Sequence, residues 1–423
     1  MARAFPPSLI QSSLPLYGLA AVQALAPLLT VPLLARRLGP DAFGLVFTAQ
    51  SLAGWAAIAI EYGFTYSAAR VASARRDDRA SVAQLVGDVA GARACLSAVG
   101  VVLLLLAWQL VPAWRSLPAG LWLGACALML AQGNMFLWCL QGIEAAGRAV
   151  PVALASRLLA LGGIAAVVHG PSDASLALAV LAASASLETF GQAVRLRGLI
   201  GGWRPGFARV GAMLREGGPL AANRLVYAFL TSGNVALMAA FTAPMVAGPF
   251  AAAERLVGYA IQGLAPVSTA LFVRSSHLVA QDPNLAARHL RTEAPRLVGA
   301  MTGLALLISA FSGAITAAFL GPQFRSSGEI LTLLAWIMPL HAVHYALGPG
   351  WLIARHRDRT YARCIAVSAG LNLIGAAILT PRYGGLGMAV SLVISLTVLA
   401  GSLALAVRQD LRALTPPNST DLT

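Results

Sequence analysis

Residues 14–37 read LPLYGLAAVQALAPLLTVPLLARR, an apolar run that ends in two arginines. The run is long enough to cross a bilayer, which takes roughly 20 apolar residues as a helix. Arg36 and Arg37 follow it where a secreted protein would carry a small-residue cleavage site, so a retained first helix is predicted and not a signal peptide. Runs of this length recur along the chain, and each is predicted to be a helix because none alternates as the strands of a barrel do.

The composition agrees with a chain that lies mostly in lipid. Hydrophobic residues make up 58% of the 423 residues and charged residues only 11%. Soluble domains carry about 25% charged residues. No water-exposed fold of this length could bury so much apolar surface, so the sequence predicts an all-α polytopic membrane protein and excludes a soluble enzyme.

Twelve spans are predicted from the apolar runs, with both termini in the cytoplasm. Their expected ranges are 12–35, 43–69, 82–110, 119–142, 149–169, 174–195, 217–240, 246–274, 297–320, 328–353, 361–380 and 385–407. All 30 basic residues are arginines, and this map puts 21 of them in inner segments and 5 in outer segments. Cytoplasmic loops of membrane proteins carry an excess of Lys and Arg, so this distribution supports both the twelve spans and the cytoplasmic position of the termini. The net charge of +14 therefore reflects contact with anionic lipid and needs no nucleic-acid partner.

A longer inner linker divides the twelve spans into two sets of six. The predicted parts are a first lobe at residues 1–197, a linker at 198–216, a second lobe at 217–407 and a cytoplasmic tail at 408–423. Pro40, Gly44 and Arg70 recur as Pro244, Gly248 and Arg274 at a constant offset of 204. This match favours a parallel duplication, which is common in transporters whose halves move about a central site.

Charged residues inside the predicted spans point to a functional cavity. A charge at the centre of a membrane helix costs roughly 2.5–3.5 kcal/mol, so such residues are expected to face water or a partner. Two interpretations stay open for each of them: a wet cavity, and ion pairs between helices that only hold the bundle together. Arg157 and Glu188 lie on consecutive helices and are expected to be able to pair. The full set is Glu61, Asp88, Arg93, Arg157, Glu188, Arg224, Glu254 and Arg255.

Several other chemistries find no support in the sequence. There is no phosphate-cradling P-loop, and the four cysteines lack metal-ligand spacing. His341 and His344 are three residues apart near the end of a span and are interpreted as packing residues rather than as a metal site. No cofactor and no metal are expected. A glycan polymerase or ligase usually needs a large outer loop, which this chain lacks, and a non-transporting scaffold does not explain the buried charges.

Four motifs in order resemble those of the polysaccharide and O-antigen flippases. They are Pro32 to Gly44 (PLLARRLGPDAFG), Glu61 to Phe64 with Ala68 to Arg70, Ala251 to Val257 with Gln262 to Ser268, and Pro381 to Gly387 (PRYGGLG). The resemblance covers essentially the whole chain. That family belongs to the multidrug, oligosaccharidyl-lipid and polysaccharide exporter superfamily. It implies about 12 transmembrane helices in two six-helix lobes around a central cavity.

The resemblance also implies a substrate and site residues. The expected cargo is an undecaprenyl-pyrophosphate-linked glycan that moves from the cytoplasmic to the periplasmic leaflet of the bacterial inner membrane, with H+ or Na+ as a counter-ion and glycan polymerase or export machinery as a partner. By position, substrate contacts are expected from Arg224, Arg255, Arg157, Arg93, Asn223 and Gln50. The candidates for ion coupling are Glu61, Glu188, Glu254 and Asp88. Drug exporters of the superfamily tend to carry an acidic residue in the first helix, and this chain has none there. A cation-coupled drug or metabolite antiporter of the same fold is the alternative.

Overall fold

The computed structural model is helical almost throughout the residues that it describes. It describes the backbone of residues 9–414 and the side chains within 26–412 apart from those at 219, 220, 223, 265, 266, 269, 270, 273 and 280. Helices α1 to α9 are Leu9–Glu61, Phe64–Ala74, Arg79–Leu110, Ala119–Gly133, Leu137–Gly142, Val150–Val167, Ala174–Ile200, Val210–Thr231 and Asn234–Phe241. Helices α10 to α16 are Gly248–Gln262, Ala265–Gln281, Pro283–Ala310, Ser312–Leu320, Arg325–Leu334, Ile337–Leu347 and Asp358–Leu414.

The described helices account for the predicted membrane spans. Seven helical stretches are long and apolar enough to cross a membrane, and two bent pairs raise the number to nine within residues 9–414. Two of the stretches, Ala26–Ala74 and Asp358–Arg412, have 49 and 55 residues, which is enough for two crossings each. They turn at Gly39 and Gly384, whose φ angles are 72° and 56°. The remaining predicted span, 246–274, corresponds to α10 and α11. The polytopic all-helical fold predicted from the sequence is confirmed.

The structure corrects several of the predicted boundaries. Six spans that were expected to be continuous are broken: 43–69 at Tyr62–Gly63, 119–142 at Asn134–Phe136, 217–240 at Ser232–Gly233, 246–274 at Gly263–Leu264, 297–320 at Phe311 and 328–353 at Ala335–Trp336. Two pairs of helices bend at such breaks, α8 with α9 by 68° and α12 with α13 by 72°. Helix α12 begins at Pro283 and not near 297, because its first 14 residues form an amphipathic segment that an apolar window does not detect.

The chain divides into two compact units. Residues up to Gly248 form the first and residues from Pro249 onward form the second. The first unit thus includes α8 and α9, which the sequence interpretation assigned to the second lobe. The lobe boundary at 217 stays a prediction.

The two copies of the repeated Pro-x-x-x-Gly segment lie against each other in the first unit. A β-carbon on Gly44 would come within 2.8 Å of the Pro244 and Met245 carbonyl oxygens and the Gly248 amide. Nearby, Arg37 Nη1 donates to the carbonyls of Ile164, Ala165 and Val168 at 3.0, 2.6 and 2.6 Å, which caps the last turn of α6. The Pro32–Gly44 motif therefore has a structural function: it fixes one helix end and permits one close backbone crossing.

The inner linker is packed onto the first unit. Only Gly201–Arg209 is non-helical between α7 and α8. The Gly206 amide donates to the Gly87 carbonyl at 2.9 Å, and Trp203 packs on Phe136 with 5.4 Å between ring centroids. The lack of a side chain at Gly87 lets the linker backbone approach α3, since a β-carbon there would meet the Arg204 carbonyl at 2.5 Å. The linker is thus part of the folded unit.

Candidate functional site

The break between α1 and α2 organises the candidate site. Tyr62 and Gly63 have φ angles of 49° and 78°, which end α1 and redirect the chain into α2. The Tyr62 hydroxyl donates to the Leu214 carbonyl of α8 at 3.1 Å, and its ring lies against Gly217. Because α8 is held to the break at these points, Arg224 further along α8 reaches the end of α1.

Glu61 and Arg224 form an ion pair at this break. Arg224 Nη1 lies 2.7 Å from Glu61 Oε1, and the two side chains are 28% and 20% exposed. The Thr65 hydroxyl donates to the same carboxylate, and the Arg224 guanidinium lies 5.2 Å from the ring centroid of the exposed Tyr66. One carboxylate and one aromatic ring thus hold a guanidinium that keeps part of its surface open to a ligand.

Arg93 on α3 adds a second cation beside this pair. It is only 3% exposed, and its Nη1 donates to the Met135 carbonyl at 2.6 Å. Its guanidinium lies 5.9 Å from the Phe64 ring centroid, and the charges of Glu61 and Arg224 both act on it. In this conformation Arg93 contacts protein groups, so its predicted contact with substrate stays a prediction.

Arg157 and Glu188 form a second cluster, which confirms that these residues can pair as the sequence suggested. Arg157 Nη2 lies 3.5 Å from Glu188 Oε2, and Glu188 is 1% exposed. Ser156 donates to the carboxylate at 3.3 Å and Gln192 at 3.5 Å. A carboxylate with three partners and no open surface is typical of a helix-to-helix ion pair that stabilises the bundle.

The two clusters meet at the break between α4 and α5. Arg93 binds the Met135 carbonyl, while the Phe136 amide donates to Gln192 Oε1 at 2.9 Å. Both backbone groups at the break are thus satisfied by side chains of the two clusters, as buried backbone groups must be. Hydrogen bonds at this break therefore link the backbone to Arg93 on one side and to Gln192 and Glu188 on the other, and the charges of Glu61 and Arg224 act on Arg93.

The other predicted residues lie elsewhere. Asp88 pairs with Arg209 of the linker at 3.8 Å. Gln50 is half-buried on α1, 11 residues before Glu61, and Glu254 and Arg255 are half-buried on α10 in the second unit. The side chain of Asn223 lies outside the described residues. The structure thus brings together Glu61, Arg224 and Arg93, and separately Arg157 and Glu188.

Three partners in these clusters were not selected from the sequence. Thr65 lies four residues after Glu61 on the other side of the helix break, Gln192 lies one helical turn after Glu188, and Tyr66 stacks on Arg224. The four-residue spacing of a polar residue from a buried carboxylate was the available signal for the first two. No such signal in the sequence indicated Tyr66, because its contact with Arg224 depends on how α8 packs. Among the described residues, no group of three His, Cys, Asp or Glu side chains could hold a metal ion.

Known proteins resemble this chain in sequence and in fold. The family model described as "Polysaccharide biosynthesis protein" matches residues 10–278. The protein named "Putative O-antigen transporter" of Escherichia coli (strain K12) is 23% identical over 403 residues, which is 93% of this chain and 95% of that protein.

Two solved structures show the same fold at low identity. "Lipid II flippase MurJ, inward closed conformation" superposes with a TM-score of 0.73 at 13% identity over 96% of this chain and 90% of its own. An inward-facing multidrug resistance MATE family transporter of the MOP superfamily superposes with a TM-score of 0.69 at 14% identity, over 95% and 98% of the two chains. At these identities the likeness concerns the fold alone.

Proposed function

Since this chain belongs to the polysaccharide biosynthesis protein family, we propose that it is a flippase that moves an undecaprenyl-pyrophosphate-linked oligosaccharide from the cytoplasmic to the periplasmic leaflet. The family membership suggested by the four sequence motifs is confirmed, and the chain is a membrane transporter rather than an enzyme. The proposal places it in the bacterial inner membrane with both termini in the cytoplasm, as the arginine distribution predicts.

One observation supports the proposed site above the others. Arg224 lies within the membrane region, is partly open, and is neutralised by a single carboxylate at 2.7 Å. A pyrophosphate can replace that carboxylate because a guanidinium binds phosphate oxygens through the same paired N–H groups. Arg157 is as exposed as Arg224, at 30%, but its partner Glu188 is fully buried and also accepts from Gln192, so a ligand displaces that carboxylate less readily. Arg224 is therefore proposed as the primary contact with the anionic headgroup, with Arg93 as a supporting charge. The substrate contact expected from Arg255, in the second unit, stays a prediction.

Exchange at Arg224 offers a route to ion coupling. When the pyrophosphate displaces Glu61 from Arg224, the freed carboxylate becomes a candidate to bind H+ or Na+, and Thr65 keeps it in place. Return of the carboxylate to Arg224 would then release both the cation and the glycan. The membrane potential acts in the same direction: two negative charges that cross the whole field outward gain about 4.6 kcal/mol per 100 mV, inside negative.

The test is to neutralise both members of the pair. Replacing both residues of a buried ion pair leaves no unpaired charge and is often tolerated for stability. The double variant Glu61→Gln/Arg224→Gln is therefore expected to reach the membrane at the wild-type level. Losing a hydrogen bond to a charged group costs about 1.5–3 kcal/mol, so its glycan export is expected to fall by about ten- to a hundredfold. Export is measured as surface glycan in a strain that lacks the native gene, and protein is measured by quantitative immunoblot of membranes.

The matched control is Arg157→Gln/Glu188→Gln, which removes the other ion pair. It is expected to export at a rate close to that of the wild type per molecule of protein. Full export by the Glu61/Arg224 double variant would show that this pair is only structural and would remove the proposed site.

The alternative is a cation-coupled drug or metabolite antiporter, which the fold shared with a multidrug transporter accommodates. It predicts resistance to cationic drugs on overexpression and an unchanged surface glycan in a deletion strain. The Glu61–Arg224 site favours an anionic headgroup, because a cationic drug would be repelled by Arg224 and Arg93.

A further inference from the structure

A separate cavity lies in the second unit, between α11 and α12. Its volume is about 490 Å³, within the range of small-molecule sites. The apolar part of its lining consists of Val267, Leu271, Leu297 and Ala300, and the polar part of Arg274, His289, Glu293 and Arg296. None of these eight residues was assigned to substrate or ion binding above.

The two helices present these residues as facing stripes. Val267, Leu271 and Arg274 follow at steps of four and three along α11, and His289, Glu293 and Arg296 do so along α12. This spacing puts each set on one helix face. The helices form a hairpin that turns at Asp282, whose side chain accepts from the Asn284 amide at 2.8 Å.

On average the charged residues of the lining lie closer to the turn than the apolar ones, and the two sets overlap in the middle of the cavity. Arg274 and His289 are eight and seven residues from Asp282, or about 11–12 Å along the helices. Glu293 and Arg296 are 11 and 14 residues from it, or about 16–21 Å, and the apolar residues Leu271, Val267, Leu297 and Ala300 are 11–18 residues from it, or about 16–27 Å. The turn lies in a segment that the arginine distribution assigns to the cytoplasm, so the part of the cavity at Arg274 and His289 is nearest to the headgroup level and the part at Ala300 extends furthest into the hydrocarbon region.

The charged groups are not fully satisfied by the protein. His289 Nε2 is buried and has no hydrogen-bond partner among the described residues. Arg296 pairs with Glu293 at 3.0 Å, but both side chains are exposed, at 70% and 37%, so the pair is easily exchanged. Two arginines against one carboxylate leave a net positive lining.

We propose that this cavity binds a membrane lipid with an anionic phosphate headgroup. The phosphate would lie between Arg274 and Arg296 with His289 as a further donor, and the start of the hydrocarbon chain would lie along Leu271, Val267 and Leu297. The chemistry is shared by anionic phospholipids and by polyprenyl phosphates. The site is distinct from the Glu61–Arg224 site, and the proposal does not depend on the proposed transport function.

Lipid binding to the purified full-length protein tests this directly. The protein is placed in phosphatidylcholine nanodiscs, and binding of a fluorescent phosphatidylglycerol or of undecaprenyl phosphate is titrated in separate arms. We expect Arg274→Gln/Arg296→Gln to weaken binding about tenfold. Arg291→Gln is the matched control because it removes an exposed arginine of α12 that does not line the cavity. Glu293→Gln is expected to strengthen binding several-fold, since it removes the competing carboxylate from Arg296.

The possible results distinguish the two classes of lipid from each other and from the absence of a lipid site in this cavity. Binding of either probe that is lost in Arg274→Gln/Arg296→Gln and kept in Arg291→Gln supports the site, and the preferred probe identifies the source. Equal loss in all arginine variants, or no effect in any, would overturn it, as would unchanged or weaker binding by Glu293→Gln. Thermal unfolding of each variant shows that it is folded. Leu271→Trp fills the cavity from its apolar wall and is expected to weaken lipid binding without removing a charge.

Discussion

Arg93 shows how the protein itself can hold a charged residue of a predicted membrane span. Its guanidinium is 3% exposed and is stabilised by a carbonyl at 2.6 Å, an aromatic ring and the neighbouring Glu61. A buried arginine with such partners fixes the backbone carbonyl that it binds, here that of Met135, in addition to supplying a positive charge. Residue type and depth alone therefore do not distinguish a charge that protein groups hold from one that is open to a ligand.

Replacing Arg93 should reduce stability more than transport. Arg93→Gln loses the charge-assisted bond to the Met135 carbonyl, a loss of about 1.5–3 kcal/mol. The expected result is a lower thermal unfolding temperature in detergent and a glycan export that falls only in proportion to the amount of folded protein. Export per folded molecule as low as in the Glu61→Gln/Arg224→Gln variant would instead make Arg93 a direct substrate contact.

Glu188 gives a second prediction at this scale. Glu188→Ala leaves Arg157 and Gln192 without their shared acceptor, whereas Ser156 keeps the Ser184 carbonyl at 2.8 Å, and breaking a buried ion pair typically costs about 3–5 kcal/mol. Since Arg157 is 30% exposed, we expect a loss toward the lower end of that range. Thermal unfolding should therefore rank Glu188→Ala below Arg157→Gln/Glu188→Gln. The reverse order would mean that the network does not stabilise the bundle.

At the scale of the elements, breaks in the helices position the functional side chains. The break at Tyr62–Gly63 brings Glu61, Thr65 and Tyr66 to one place, and the break at Asn134–Phe136 offers a carbonyl to Arg93 and an amide to Gln192. Irregular backbone at membrane depth is tolerated where it is buried in protein or lines a cavity. Here side chains from neighbouring helices satisfy the freed backbone groups.

Gly44 tests the crossing of the repeated segments. Gly44→Val places a side chain against the Pro244 and Met245 carbonyls, and overpacking of this kind costs about 1–3 kcal/mol. The expected result is a lower unfolding temperature. Gly54→Ala on the same helix is the control: nothing lies within 4 Å of a β-carbon there, so it should be neutral or stabilising by up to about 1 kcal/mol. Equal effects of the two substitutions would contradict the close crossing.

For the whole molecule, the placement of arginine is the strongest constraint on orientation. The surface of the spans is apolar, and exposed Leu, Val and Ile side chains lie on most of the membrane helices. Lipid can solvate these side chains, so the structure by itself does not tell the inner side from the outer. The arginine excess supplies that direction, because positively charged loops are retained in the cytoplasm.

Reporter fusions check the orientation. Alkaline phosphatase is active only outside the cytoplasm, so fusions after His169 and Gly321 are expected to be active and fusions after Asp77, Arg204 and Asp282 inactive. The physical reason is that each inactive position adjoins an arginine-rich segment. High activity after Arg204 would contradict both the six-plus-six arrangement and the cytoplasmic linker. Protein levels of all five fusions serve as the control.

The sequence by itself determined that the chain is a polytopic helical membrane protein, where most spans lie, which family it belongs to, and that Arg157 and Glu188 can pair. These follow from local quantities: apolar run length, charge and motif order. Only the tertiary structure decided that Arg224 meets Glu61, that Arg93 is buried against Met135, that several spans are broken, and that α11 and α12 line an open, charged cavity. The reason is that Glu61 and Arg224 are 163 residues apart. Whether two such residues meet depends on helix rotation, on breaks in the helices and on close helix crossings at glycines. A short stretch of sequence does not determine any of these.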